Sequence, residues 1–420
     1  MLIKFSVKNF ACFKDETVFD LNLSKRKEHP ENIIHKGKYK GLSSVLTYGA
    51  NAAGKTSIFR AMTIAIRMIK FSNMRQVNEV LPVIPFKFNE TTVAEPSEFE
   101  FQFVASDGIK YIYGFKADAR IIHEEYLYKY TSSRASKIFS RHGDAYDFTD
   151  KEAGKLEPLT KMNTSNKLFI ATATAWNAAS TRVPFEWLSS YIDTYTNITD
   201  LSNIAMEHYK GGESEKYLRF TEKLMKEADI NISKVKVNVE KVKLDPAMKP
   251  FMPGVMINGQ LIQPNEQERI TISTIHNIKS AAGKEKEFSL NIAEESQATQ
   301  MLFSFGAMIK DAFDKGKTIV IDEIDRSMHP LLLKYIIELF SNPKINDKGA
   351  QLIVTTHDTS QMKLSRFRRD QFYFVVKDNS TGESKLYSLN DYTVRKNESI
   401  EKGYLSGRYG AIPDIDFSRG

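Results

Sequence analysis

The chain has 420 residues, 41% hydrophobic and 26% charged, which is ordinary for a globular protein with a sizeable core and room for two compact regions. No apolar run is long enough to span a bilayer, and the alternating start Met1-Leu2-Ile3-Lys4-Phe5-Ser6-Val7-Lys8 lacks the apolar core of a signal peptide, so no membrane partner is expected. The single cysteine, Cys12, excludes an internal disulfide and suits a reducing cytoplasm; the net charge of +7 permits nucleic-acid contact without demanding it.

Taken in chain order, residues 2–8 read as a strand with Ile3, Phe5 and Val7 on one face, and 17–23 read likewise. Residues 44–48 form a short buried strand, followed by a Gly-rich turn and a helix over 55–70. That helix is apolar nearly all round, so it should be largely buried. Between 98 and 130, Phe99, Phe101, Phe103, Tyr111, Tyr113 and Phe115 recur at period two, a meander with Asp107-Gly108 as its first tight turn. Residues 213–227 read as a helix, 232–243 as a strand and 245–254 as a loop with three prolines. From 290 onward an α/β alternation returns: helix 294–314, strand 317–322, helix 330–341, then strands at 351–356 and 371–376. The expected division is therefore 1–150 as the first part of a head, 151–290 as an inserted lobe and 291–420 as the rest of the head. No sustained heptads indicate coiled-coil arms.

Gly49-Ala50-Asn51-Ala52-Ala53-Gly54-Lys55-Thr56 matches the Walker A pattern in full, with a strand before it and a helix after it. The glycines turn backbone N–H groups toward phosphate oxygens, and the helix N-terminus adds partial positive charge. Gly49 through Ser57 are thus the expected ATP-binding residues. Lys55 should reach the β- and γ-phosphates, and Thr56 should ligate Mg²⁺. Thr318-Ile319-Val320-Ile321-Asp322-Glu323 matches Walker B plus a glutamate. Asp322 should hold the Mg²⁺ shell, and Glu323 should orient and polarise the attacking water. A further apolar strand, Gln351 to Thr355, leads to His357.

With this order of motifs, and so long an insertion between Lys55 and Asp322, the chain resembles the DNA-repair branch of the ABC-type ATPases. That branch includes RecF, the double-strand-break repair ATPases and the overcoming-lysogenization-defect ATPases. The resemblance implies an α/β ABC-type P-loop ATPase head with a mostly parallel core sheet, an N-terminal antiparallel β subdomain and an inserted α/β lobe. It implies that His357 contacts the γ-phosphate, and that two copies sandwich ATP in a homodimer or higher homo-oligomer. The family's serine-glycine signature falls at Glu294-Glu295-Ser296-Gln297-Ala298-Thr299-Gln300. Ser296 matches the serine that reaches the partner's γ-phosphate, while Ala298 replaces the usual glycine. The same stretch also reads as the cap of an amphipathic helix. Asn9-Phe10-Ala11-Cys12-Phe13 carries alanine where the family has a basic residue, and no glutamine is assigned to the Q-loop.

A narrower resemblance is to the type-fifteen AAA ATPases of bacteria, the RloA-like and PARIS-type group. It rests on Pro85-Phe86-Lys87-Phe88, Pro96-Ser97-Glu98-Phe99-Glu100, Asp322-Glu323-Ile324-Asp325 with His329-Pro330, Arg369-Asp370-Gln371, and the tail from Tyr404 through Pro413. It implies an anti-phage sensor or regulator acting beside a separate, nuclease-like effector and responding to DNA or a phage protein. The alternative is a RecF-like repair or DNA-end-binding ATPase. No built-in nuclease domain is expected, since residues 358–420 after His357 include a head strand and leave little room for one. Arg366-Phe367-Arg368-Arg369 reads as solvated surface, with nucleic-acid or partner contact as the other reading.

Overall fold

The computed structural model describes residues 1–196, 198–228, 230–243, 255–257, 260–262, 266–279, 283–395 and 398–413. The chain divides into two compact units, Met1–Asn197 with Ala312–Gly420, and Ile198–Asp311.

The first unit opens with β1 (Leu2–Lys8), β2 (Thr17–Asp20), the hairpin β3 (Ile33–Lys36) and β4 (Tyr39–Leu42), β5 (Ser44–Gly49) and α1 (Lys55–Lys70). The chain continues through α2 (Glu90–Ala94), β6 (Ser97–Val104), β7 (Lys110–Ala117), β8 (Ile122–Tyr130), β9 (Ser136–His142), β10 (Ala145–Phe148), α3 (Asp150–Leu156), α4 (Phe169–Ala175), α5 (Ala179–Ser190) and β11 (Ile192–Tyr195). Alternating aromatics build an antiparallel seven-stranded sheet in the order β10-β9-β8-β7-β6-β1-β2. Phe101 pairs with Phe5 on one side and Tyr113 on the other, and all three are buried. The strand at 17 stops at Asp20, whose side chain accepts from the Asn22 N–H (2.9 Å) and so turns the chain out of the ladder.

Residues 151–197 belong to this first unit, not to an inserted lobe. Burial explains why: Glu125 on β8 is fully enclosed and accepts from the N–H groups of Phe169 (2.6 Å) and Ile170 (2.9 Å), satisfying the opening turn of α4. Tyr113 donates to the same carboxylate (3.0 Å), and Arg141 lies 3.8 Å away. Beyond α5, β11 joins the other sheet of the unit.

The second unit holds α6 (Ile198–Lys210), α7 (Ser214–Glu227), β12 (Lys234–Lys243), β13 (Val255–Ile257), β14 (Gln260–Ile262), β15 (Glu266–Lys279), β16 (Glu285–Asn291) and α8 (Gln297–Lys315) through Asp311. Its main sheet is β12-β15-β16, antiparallel throughout. Tyr209 on α6 stacks on Phe303 of α8 at 4.4 Å, and its hydroxyl meets Thr221 of α7 (2.7 Å). Helix α8 starts later than the sequence suggests because a short 3-10 turn, Ile292–Glu294, precedes it. The three-proline loop at 245–254 lies outside the described residues.

The chain then returns to the first unit through β17 (Thr318–Ile321), α9 (Pro330–Ser341), β18 (Gln351–Thr355), β19 (Phe372–Lys377), β20 (Ser384–Ser388) and α10 (Ile400–Leu405). The second sheet runs β11-β17-β18-β5-β19-β20, parallel except for β20. Its strands are apolar runs because both faces are covered. Helix α1 packs into the core shared by the two sheets: Ile58, Phe59 and Met62 are buried, and Phe59 meets Phe19 edge-on at 6.4 Å. Among the described residues no helix is long and apolar enough to cross a membrane.

Candidate functional site

The parallel register fixes where the chemistry gathers. Val354 of β18 pairs with Ile321 of β17 on one side and Leu46 of β5 on the other, so the carboxyl ends of all three strands lie at one edge of the sheet. Open α/β sheets present ligand-binding groups at that edge.

From β5 the chain enters the loop 49–54. A Cβ on Gly49 would stand 2.5 Å from the Val375 carbonyl oxygen, and one on Gly54 would stand 2.8 Å from Cys12 Sγ. Gly54 also has φ +115, so both positions need glycine. The loop is anchored from beneath: Ser384 Oγ donates to the Ala53 carbonyl (2.6 Å). Asn51, Ala52 and Thr56 are exposed, while Ser57 is half-buried. Lys55 is 6% exposed, and its ammonium donates to the Gly49 (2.7 Å) and Ala50 (3.1 Å) carbonyls. Burial pulls its pKa down; the nearby Asp322, Glu323 and Asp325 carboxylates oppose that shift.

Thr355, at the end of β18, ties the acidic turn together. Its hydroxyl donates to Asp322 Oδ1 (2.5 Å) and accepts from the Glu323 N–H (2.7 Å). Glu323 is exposed and has φ 52, a left-handed conformation that costs a non-glycine residue about 1–3 kcal/mol. Ile324 is fully buried and anchors the turn behind it. Asp325 then accepts from the His357 N–H (2.9 Å), and its other oxygen is buried without a partner. The His357 ring is exposed at the same edge.

The first unit thus brings together Lys55, Thr56, Asp322, Glu323 and His357. Ser296 lies in the second unit, where its hydroxyl accepts from the Thr299 N–H (3.2 Å) and caps α8; Ala298 follows half-buried. Sequence reading missed Thr355, because a threonine at a strand end carries no signal of its pairing across the sheet. Thr196, immediately after β11, stands at the edge where the Asp322 N–H donates to the Tyr195 carbonyl (3.0 Å).

The arginine cluster at 366–369 is not a solvated surface, and Arg368 and Arg369 offer none to nucleic acid. Arg368 is fully buried against Asp370 (2.8 Å), and Arg369, 3% exposed, pairs with Glu28. Buried guanidinium groups need such partners; Asp370 supplies one from two residues away and Glu28 the other from the opposite end of the chain.

Strand order, phosphate loop and acidic strand end define a P-loop ATPase fold. More narrowly, residues 48–362 match the family described as "AAA domain, putative AbiEii toxin, Type IV TA system", and the chain belongs to it. No curated protein matches the chain. Among solved structures it is similar to the SMC head domain from Thermotoga maritima, at 15% identity and TM-score 0.41 over 94% of this chain and 99% of that one. It is also similar to the Smc head domain with a coiled coil and joint from Pyrococcus yayanosii, at 11% identity and TM-score 0.42, covering 96% and 99% respectively. The recombination mediator protein RecF with a bound nucleotide matches at 12% identity and TM-score 0.36, covering 92% and 98%.

Proposed function

We propose that this chain binds and hydrolyses ATP, that two copies close around two nucleotides, and that the cycle controls a separate effector. The observation that carries this reading is the alignment of β5, β17 and β18, which sets a buried lysine within electrostatic reach of Asp322 and Glu323.

In this reading the backbone N–H groups of residues 49–54 and the start of α1, with Ser57, cradle the phosphates. Lys55 gives up its contacts with the Gly49 and Ala50 carbonyls for phosphate oxygens. Thr56 and Asp322 would hold Mg²⁺: both offer hard oxygen ligands at one strand edge, and a phosphate-bound Mg²⁺ needs only one or two such protein groups. The ion would supply charge neutralisation at the phosphates. Glu323 orients the attacking water and takes its proton as the water oxygen bonds to the γ-phosphorus and the bond to ADP breaks. His357 donates to the γ-phosphate, and Ser296 of the second copy contacts the same group across the dimer.

The effector reading rests on the likeness to the type-fifteen AAA ATPases. The family's description, which names a toxin of a type IV toxin–antitoxin system, also supports a role beside a second component. Defence against phage with a nuclease-like effector is the function proposed. The DNA-end-binding alternative loses Arg368 and Arg369 as a contact surface, since both are ion-paired in the interior.

ATP turnover by the purified protein, and its loss in Lys55→Ala, tests the enzymatic part. Copurification with the neighbouring gene product followed by mass measurement tests the effector. A stable, monodisperse protein that neither binds nor hydrolyses ATP would sink the proposal.

A further inference from the structure

The C-terminal segment 398–413 takes no part in the reading above, yet it is a built structure. Ser399 caps α10 through the Lys402 N–H (3.3 Å), and Tyr409 is fully buried. A Cβ on Gly403 would stand 3.0 Å from the Tyr409 hydroxyl, so the chain folds back closely there. Tyr404 stacks on Phe374 (5.7 Å) and leans on Tyr48 (5.8 Å), and Tyr409 stacks on the other part of that aromatic group at Phe374 (5.2 Å).

This segment touches both halves of the candidate site. The Tyr404 ring packs on Tyr48 (5.8 Å), the residue just before the first glycine of the phosphate loop, while its hydroxyl donates to the Ala411 carbonyl (3.0 Å). Glu401 accepts from the Thr359 hydroxyl (3.1 Å), two residues beyond His357. A third link closes the circuit, since Tyr48, next to Gly49, donates to the Asp358 carbonyl (3.1 Å). The phosphate loop and the His357 turn come from strands about 300 residues apart in sequence, and α10 touches the flank of each, by the Tyr404 ring on Tyr48 and by Glu401 on Thr359.

We propose that residues 398–413 form a strap that sets the His357 turn against the phosphate loop, with Glu401 and Tyr404 as positioning residues. The proposal rests on the ATPase reading. Neither residue touches the reacting atoms. Glu401 acts by holding Thr359, which fixes the turn that presents His357. Tyr404 acts by packing against Tyr48, the residue before Gly49. A change at the phosphate loop on nucleotide binding is thereby passed to the surface helix α10, and α10 becomes a reporter of nucleotide state that a partner could read.

Two measurements on the full chain test this. In steady-state hydrolysis, Glu401→Ala should lower kcat about tenfold, the value of a hydrogen bond to a charged group, with KM for ATP unchanged. Glu401→Gln keeps the accepting oxygen and should restore most of the rate. Thr359→Val should match Glu401→Ala, and the double variant should be no slower than either, because both remove one link. The second measurement is hydrogen exchange with and without ATPγS, which needs no turnover. Nucleotide should slow exchange at 400–409 in the wild type and lose that effect in Glu401→Ala. The strap is overturned if KM rises in place of a fall in kcat, if the two single effects multiply, or if bound ATPγS leaves exchange at 400–409 unchanged. Those results leave the ATPase reading intact; failure of the wild type to bind ATPγS at all removes both.

Discussion

Thr355→Val is the sharpest test of how the acidic turn is held. The side chain is fully buried, so valine fills the same space while deleting two hydrogen bonds. One is the hydroxyl's donation to the Asp322 carboxylate at 2.5 Å, and the other its acceptance from the Glu323 N–H at 2.7 Å. A bond to a charged group is worth about 1.5–3 kcal/mol and a neutral one about 0.5–1.5 kcal/mol. The sum, about 2–4.5 kcal/mol, is enough to offset the cost of keeping Glu323 in its left-handed conformation, about 1–3 kcal/mol. Without Thr355 the turn can relax and Glu323 leaves its position. If about 2 kcal/mol of that loss reaches the transition state, kcat falls about 30-fold. Nucleotide affinity should stay within about threefold, since Lys55 and the phosphate loop keep their contacts. The assay is phosphate release at saturating ATP, with fluorescent-nucleotide titration for binding and urea unfolding to record the stability change. Thr355→Ser retains the hydroxyl and should keep most of the rate. A valine variant turning over within twofold of wild type would refute the reasoning, as would a serine variant as slow as valine.

Other outcomes follow from the same geometry. Lys55→Ala should abolish ATP binding, read by the same titration, because the phosphates lose their main cation. Glu323→Gln should bind ATP but hydrolyse it at least about a hundredfold more slowly, within the range that general-base catalysis supplies. It should also accumulate an ATP-bound dimer or larger assembly on size-exclusion chromatography with Mg²⁺; a monomer at every ATP concentration would count against the sandwich. Ser296→Arg should leave ATP affinity unchanged and remove turnover, and normal turnover would show that this capped helix is no signature. Glu125→Ala should destabilise the fold by about 3–5 kcal/mol, because it removes the counter-charge of buried Arg141 and leaves two N–H groups of α4 without their acceptor. A urea midpoint unchanged from wild type would contradict that.

What could be read from the sequence was what is local in it. Strand, glycine loop and helix follow one another without interruption, so α1 coincides with its expected bounds and β5 runs one residue past them, to Gly49: the helix begins after Gly54 and ends where Phe71 caps it. The meander from Phe99 to Phe115 was equally clear, since period two survives in every strand of it. What was hidden depends on partners far along the chain. Strand β11 has four residues, too few for a pattern, and becomes a strand only by pairing with β17 from Thr318 on. Arg369 looks like surface until Glu28 is placed beside it, and Arg368 until the Glu28 and Arg26 carbonyls are. The role of Thr355 appears only when β18 is laid against β17.

The sheet order also governs how the protein can be made. The antiparallel sheet uses only residues before 149, so it can assemble while the ribosome is still far from the end of the message. Strand β5 cannot, because its two neighbours are β18 and β19. At about 5–20 residues per second, roughly 15–60 s separate the emergence of Gly49 from that of Gln351. For that time a strand of entirely buried residues has both hydrogen-bonding edges vacant. A nascent chain of this kind needs shelter, and a ribosome that stops between 197 and 350 releases a fragment with a finished meander and a phosphate loop that has no sheet to stand on.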